Sequence, residues 1–231
     1  MRHLFAFLAA GILLAASPVK AQRNAYDSLS SSLSNLKKEA DQYRPKFGIK
    51  GGYNIAKVNG SATSYAPDNR KGFMVAAFYS PVSKGVGYRT ELVFSRQGFS
   101  FDESGKMQEV SQDYIYMPHF TTFTIAKKVQ LQAGAQMGYL LNAQKKSDSG
   151  SESDVMEYMN RFDYGFAGGL EVYPFKGLLV GARYNVSLGN VYKQYEKSST
   201  NPMPVGYPFP FTPNDIKGKN AVVQFFAGYR F

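Results

Sequence analysis

The chain has 231 residues, 44% of them hydrophobic, a formal charge of +10 and no cysteine. The lack of cysteine excludes disulfides, a thiol nucleophile and a lipidated cysteine, and no apolar run after the leader is long enough for a membrane-crossing helix. The basic residues are dispersed singly through strands and turns, which excludes nucleic acid as a partner and suits an anionic lipid or polysaccharide surface.

Arg2 and His3 precede the apolar or small run Leu4 to Ala16, and Val19-Lys20-Ala21 is a small-x-small cleavage pattern. Residues 1–21 therefore read as a secretory signal peptide cut between Ala21 and Gln22. Removal of Arg2 and Lys20 takes the 27 basic residues to 25 against 17 acidic ones, a net +8. Residues 22–45 are polar and Ser-rich, with Leu29, Leu33, Leu36 and Ala40 at helical spacing. They form a short amphipathic helix or a flexible periplasmic extension ended by Pro45, and a plug, a partner-binding helix and a solvated spacer all stay open.

From Lys46 onward, segments that alternate apolar with Gly or polar residues end in turn chemistry, the period-two signature of strands. Eight are predicted: 46–57, 72–80, 86–99, 113–125, 129–142, 161–173, 178–191 and 220–231. Long connections, 58–71, 100–112, 143–160 and 192–219, alternate with the short ones 81–85, 126–128 and 174–177. Up-and-down strands place such alternating connections at opposite rims of a barrel. Within the fourth strand Pro118 lacks a ladder donor, which predicts a strand end or a bulge.

Parity separates two faces. One carries Phe47, Ile49, Tyr53 and Ile55; Tyr88, Leu92 and Phe94; Leu131 to Leu141 at every second residue; Phe162, Tyr164 and Phe166; Tyr184 and Val186; and Phe225, Tyr229 and Phe231. The other is rich in Gly and Gln with sparse charge, whereas a solvated face carries dense Lys, Glu and Asp. The apolar face therefore points outward to lipid, with girdles drawn from 17 Tyr and 18 Phe because there is no Trp. The expected fold is all-β: an eight-stranded antiparallel up-and-down transmembrane β-barrel over residues 46–231 behind a short N-terminal extension.

Eight strands enclose an interior just wide enough for side chains and leave no aqueous pore. Lys50, Arg89, Arg183 and Arg230 fall on the inward parity with Glu91, Asp163 and Glu171. Four positive and three negative groups can pair off there as a polar core, since unpaired charges in such a space cost heavily.

The motifs Gly48-Ile49-Lys50-Gly51-Gly52-Tyr53-Asn54, Glu91 to Gly98, Tyr114-Ile115-Tyr116-Met117-Pro118, Ala133 to Leu141, Phe162-Asp163-Tyr164-Gly165, Gly181-Ala182-Arg183-Tyr184 and Gly228-Tyr229-Arg230-Phe231 follow in order over residues 46–231. In that order they resemble the PorT-like outer-membrane β-barrel family of Bacteroidetes. The resemblance implies an eight-stranded barrel in the cell outer membrane, inserted by the barrel assembly machinery, with Tyr229 and Phe231 as the assembly signal. It also implies contact with outer-membrane lipid, with envelope or secretion proteins as further partners, and a structural, adhesive or secretion-accessory role without a settled activity. Tyr116 departs from the family pattern, which carries a Glu there.

His119 is the single histidine after the leader. A small outer-membrane hydrolase using His119 as general base is the alternative to a non-enzymatic barrel. No HExxH, P-loop, nucleophile elbow or metal-spaced cluster stands in the sequence, so no catalytic residue, metal or cofactor is assigned. Both termini are expected in the periplasm and the long loops outside the cell.

Overall fold

The computed structural model describes residues 19–42, 45–60, 66–81, 86–126, 128–195 and 206–231. Residues 1–18 of the proposed 1–21 leader lie outside the described residues. Two compact units divide the chain at residues 44 and 45. In the first, helix α1 spans Val19–Gln42 and so runs through the Ala21-Gln22 junction. Leu29, Leu33 and Leu36 are exposed along it.

Among the described residues the second unit has nine strands: β1 (Lys46–Asn59), β2 (Asp68–Ser80), β3 (Val86–Glu103), β4 (Lys106–Ala126), β5 (Val129–Ser147), β6 (Glu152–Asp154), β7 (Phe162–Val172), β8 (Leu178–Ser187) and β9 (Lys219–Arg230). The sheet order β4-β3-β2-β1-β9-β8-β7-β5 closes through a β4–β5 ladder into an eight-membered antiparallel ring, and β6 pairs only with β5. Closure removes every sheet edge within the ring, as a barrel in lipid requires. First and last strands pair from Gly48 opposite Arg230 to Asn59 opposite Lys219, and the Phe231 amide donates to the Phe47 carbonyl at 2.8 Å.

The apolar parity is exposed around the whole ring, including Tyr53, Val75, Leu92, Met137, Phe166, Tyr184 and Phe225. On β1 the belt runs from Phe47 to Ile55. Nine residues at about 3.3 Å each and a tilt of about 40° make a band roughly 20–25 Å tall.

Two expectations need correction. Residues 100–112 are not a loop. Here β3 and β4 continue as a paired ribbon to a two-residue turn at Ser104 (φ 57°) and Gly105 (φ 79°). Asp102 Oδ1 accepts from the Gly105 amide at 2.9 Å, and two positive φ values form the turn whose twist matches a hairpin. The ribbon persists because its inward residues Phe99, Phe101 and Val110 have an apolar cover. The second correction is Pro118, which sits mid-strand opposite Gln136 of β5. The β3–β4 ladder lapses only between Thr90 opposite His119 and Val93 opposite Tyr116, and it resumes in the same register. The missing N–H thus costs a gap rather than a bulge. The β4–β5 register shifts instead above it, where β5 gains a residue between Asn142 and Leu140, and below it, between Thr124 and Ala126.

Candidate functional site

Pleating sends every second residue into the lumen, and the inward set of β1, β3, β7 and β8 meets in the half of the barrel nearer the short connections. Lys50 Nζ lies 2.6 Å from Glu91 Oε1 and 3.3 Å from Glu171 Oε1. Arg183 donates to the other Glu91 oxygen at 2.8 Å, and Arg89 donates to Glu171 Oε2 at 2.5 Å. Tyr173 also donates to Glu171, at 2.7 Å. Two carboxylates are therefore shared by three cations rather than paired one to one. The cations rest on inward rings: Lys50 lies 4.3 Å from Phe226, Arg89 4.5 Å from Phe78 and Arg183 5.0 Å from Phe120. Desolvated cation–π contacts of this kind are worth about 2 kcal/mol each and offset part of the burial penalty.

A hydrogen-bonded chain climbs from this cluster. Arg183 donates to Gln224, Gln224 to Asn54 and Asn54 to Ser95 at 3.1, 3.1 and 2.9 Å. Ser95 contacts Gln97, Gln97 donates to Tyr116 at 3.1 Å, and Tyr116 donates to Asp163 Oδ2 at 2.7 Å. Ser187 donates to the same oxygen at 2.6 Å. The cavity lined by Gln97, Tyr116, Gln136, Arg183, Asn185 and Gln224 holds about 10 Å³, room for about one water. Side chains, not solvent, fill the lumen here.

Above the chain the long connections pack into a platform. Tyr192 is fully buried, with ring centroids 4.8 Å from Phe211, 5.6 Å from Phe209 and 6.1 Å from Phe99. Phe101 touches Phe209, and Tyr207 meets Tyr158 at 5.4 Å. The β3–β4 ribbon and the β8–β9 connection thus bury one aromatic layer between them. Burial, followed by the nearby Glu157 carboxylate, raises the Tyr195 phenol pKa above its ordinary value.

A closed eight-membered ring with an apolar exterior and a polar, filled interior is the architecture of small outer-membrane proteins. Residues 34–193 match a family model described as outer membrane protein beta-barrel domain. The chain belongs to that family. As an outer-membrane β-barrel, it turns its exposed apolar belt to lipid. Among solved structures it is similar to Neisserial surface protein A, at 14% identity over 80% of this chain and 97% of that one with a TM-score of 0.52, a likeness of fold. It is also similar to Ail of Yersinia pestis (21% identity, 81% and 99% coverage, TM-score 0.45) and OprG of Pseudomonas aeruginosa (12%, 82% and 97%, TM-score 0.44). No curated protein matches.

Of the seven interior charges expected together, the outer-membrane barrel gathers Lys50, Arg89, Glu91, Glu171 and Arg183. The other two make no ion pair with these five and join them through intermediates, Asp163 by the Gln224-to-Tyr116 chain and Arg230 by the Tyr173 ring. Asp163 is the second residue of β7, eight residues from Glu171, roughly 26 Å away along a strand, and it is held by Tyr116 and Ser187. Arg230 lies at the far end of β9, its guanidinium 4.2 Å from the Tyr173 ring. Tyr229 and Phe231 are exposed, their rings 5.3 Å apart. His119 faces outward beside Tyr88, whose hydroxyl lies 2.5 Å from Nδ1, and its ladder neighbours are Thr90 and Ala135. The sequence reading missed Phe78, Phe120 and Phe226 as cation shelves, although parity with Gln224 already placed Phe226 inward.

Proposed function

We propose that this chain is a non-enzymatic outer-membrane barrel acting as a surface contact protein, with an adhesive role carried by the elaborate end of the barrel. Both termini lie in the periplasm in this reading, the chain is exported through its leader, and the ends of β3, β4, β5 and β6 and the β8–β9 connection face outside. The carrying observation is the contrast between a lumen closed by the Lys50-Glu91-Arg183 and Arg89-Glu171 pairs and a built platform over it. A filled lumen suits no solute path, while the aromatic layer under the β3–β4 ribbon holds a large structured surface away from the belt. The ordered motifs support a PorT-like member, and the exposed aromatic alternation of Tyr229 and Phe231 on the closing strand supports delivery by the barrel assembly machinery.

The chain has no cysteine, so single cysteines report orientation cleanly. Ser149→Cys should react with a membrane-impermeant maleimide on intact cells and Lys176→Cys should not. Cells carrying a variant with residues 101–108 replaced by Asn-Gly should lose adherence to immobilised cell-surface material while the barrel still migrates as folded. Reversed labelling would overturn the orientation, and unchanged adherence would overturn the adhesive role.

A further inference from the structure

Outward residues on β9, β1, β2 and β3 differ at the two edges of the belt. At the edge nearest the chain terminus they are aromatic: Phe47 and Tyr79 have ring centroids 5.0 Å apart, and Tyr229 and Phe231 lie beside them. At the opposite edge the same faces turn basic one or two steps beyond Ile55, Phe73, Phe94 and Val223, at Lys57, Lys71, Arg96 and Lys219. Lys57 pairs with Ala221 while Lys219 pairs with Asn59, and Lys71 pairs with Ile55. Lys219, Lys57 and Lys71 are therefore successive diagonal neighbours on one face, about 7–8 Å apart. Arg96, opposite Phe73, extends the row. The belt's edge descends across these strands in the same direction, from Ile55 to Phe73 to Phe94, so the row follows it.

The row is not internally neutralised. Arg96 is held by Asp113 through two 2.7 Å bonds. Among the described residues no carboxylate lies within ion-pair distance of Lys57, Lys71 or Lys219. Asp68 stands three residues beyond Lys71 and accepts from the Asn69 amide at 2.7 Å. Three unpaired ammonium groups directly above an apolar strip match one ligand shape: a saccharide carrying more than one phosphate, with acyl chains attached.

We propose that Lys57, Lys71 and Lys219 hold the phosphates of a phosphorylated glycolipid of the outer leaflet, a bisphosphoryl lipid A, while its acyl chains lie along Tyr53, Ile55, Phe73 and Phe225. Assignment to the outer leaflet rests on the orientation proposed above, but binding in detergent does not depend on orientation. Failure of the two readings can therefore be told apart, since maleimide labelling reports orientation alone.

The full-length chain after export, folded in neutral detergent, would be titrated with bisphosphoryl lipid A and followed by native mass spectrometry. Each ammonium near an anionic surface supplies about 1 kcal/mol, which is about fivefold in affinity. Each of Lys57→Gln, Lys71→Gln and Lys219→Gln should therefore weaken retention about fivefold, and the triple variant on the order of a hundredfold, with gel migration of the folded barrel unchanged. Lys128→Gln with Lys176→Gln, at the aromatic edge, should bind like the parent, and dephosphorylated lipid A should bind the parent as poorly as the intact lipid binds the triple variant. Equal retention by the triple variant would overturn the site. Equal binding of phosphatidylglycerol, or displacement by excess inorganic phosphate, would overturn the glycolipid as its ligand.

Discussion

Glu91 and Arg183 are 92 residues apart, on strands that share no ladder, and meet across the lumen at 2.8 Å. Glu91 spends one oxygen on Arg183 and the other on Lys50. Its removal strands Arg183 with only Gln224 and leaves Lys50 to the longer Glu171 contact, whereas removal of Arg183 still leaves Glu91 with Lys50. Glu91→Gln should therefore cost about 3–5 kcal/mol, and Arg183→Gln distinctly less. Urea unfolding of the detergent-folded barrel would measure both, and a larger loss for Arg183→Gln would contradict the sharing of Glu91.

Tyr116 stands directly opposite Gly138, and a Cβ built there would lie 2.4 Å from the Tyr116 ring. Gly138→Ala should destabilise by about 1–3 kcal/mol through overpacking. In a Tyr116→Leu background most of that cost should vanish, and additive losses in the double mutant would show that the ring is not what the methyl meets.

Tyr116→Phe isolates the hydroxyl. It removes a donor to Asp163 that is 2.7 Å away but keeps the ring, and Ser187 still serves the carboxylate. A loss of about 1–2 kcal/mol is expected on unfolding. A neutral result would mean that Tyr116 contributes packing alone.

Tyr192→Ala should loosen the platform more than the barrel. Its ring joins Phe99 of β3 to Phe209 and Phe211 of the last connection. Limited proteolysis should then cut within residues 193–218 while heat-modifiable migration persists. Simultaneous loss of the folded band would mean that platform and barrel unfold as one unit.

Deletion of Phe231 tests the chain end. Its ring is 72% exposed and its amide closes the ladder on Phe47. As a mere apolar contact its loss would be worth about 1.5–3 kcal/mol. As an assembly signal, its deletion should cut insertion in cells far more than it lowers stability after refolding in detergent, and normal insertion would count against that role.

The sequence by itself determined the faces. A pleated strand sends alternate side chains to opposite sides whatever surrounds it, so the exposure of Phe47, Tyr88, Met137 and Tyr184, and the inward parity of Lys50, Arg89, Glu91 and Arg183, followed from local alternation. Alternating connection lengths gave the up-and-down ring. Tertiary structure alone decided which inward groups touch, because a two-residue slip between strands preserves parity while moving a side chain about 7 Å along the wall. That is why Asp163 meets Tyr116, and why Arg230 stacks on Tyr173. Only the packed aromatics of the last connection, Tyr192, Phe209 and Phe211, kept residues 100–112 as ribbon, since a polar-flanked stretch extends as a hairpin when something apolar, distant in sequence, covers its inner face.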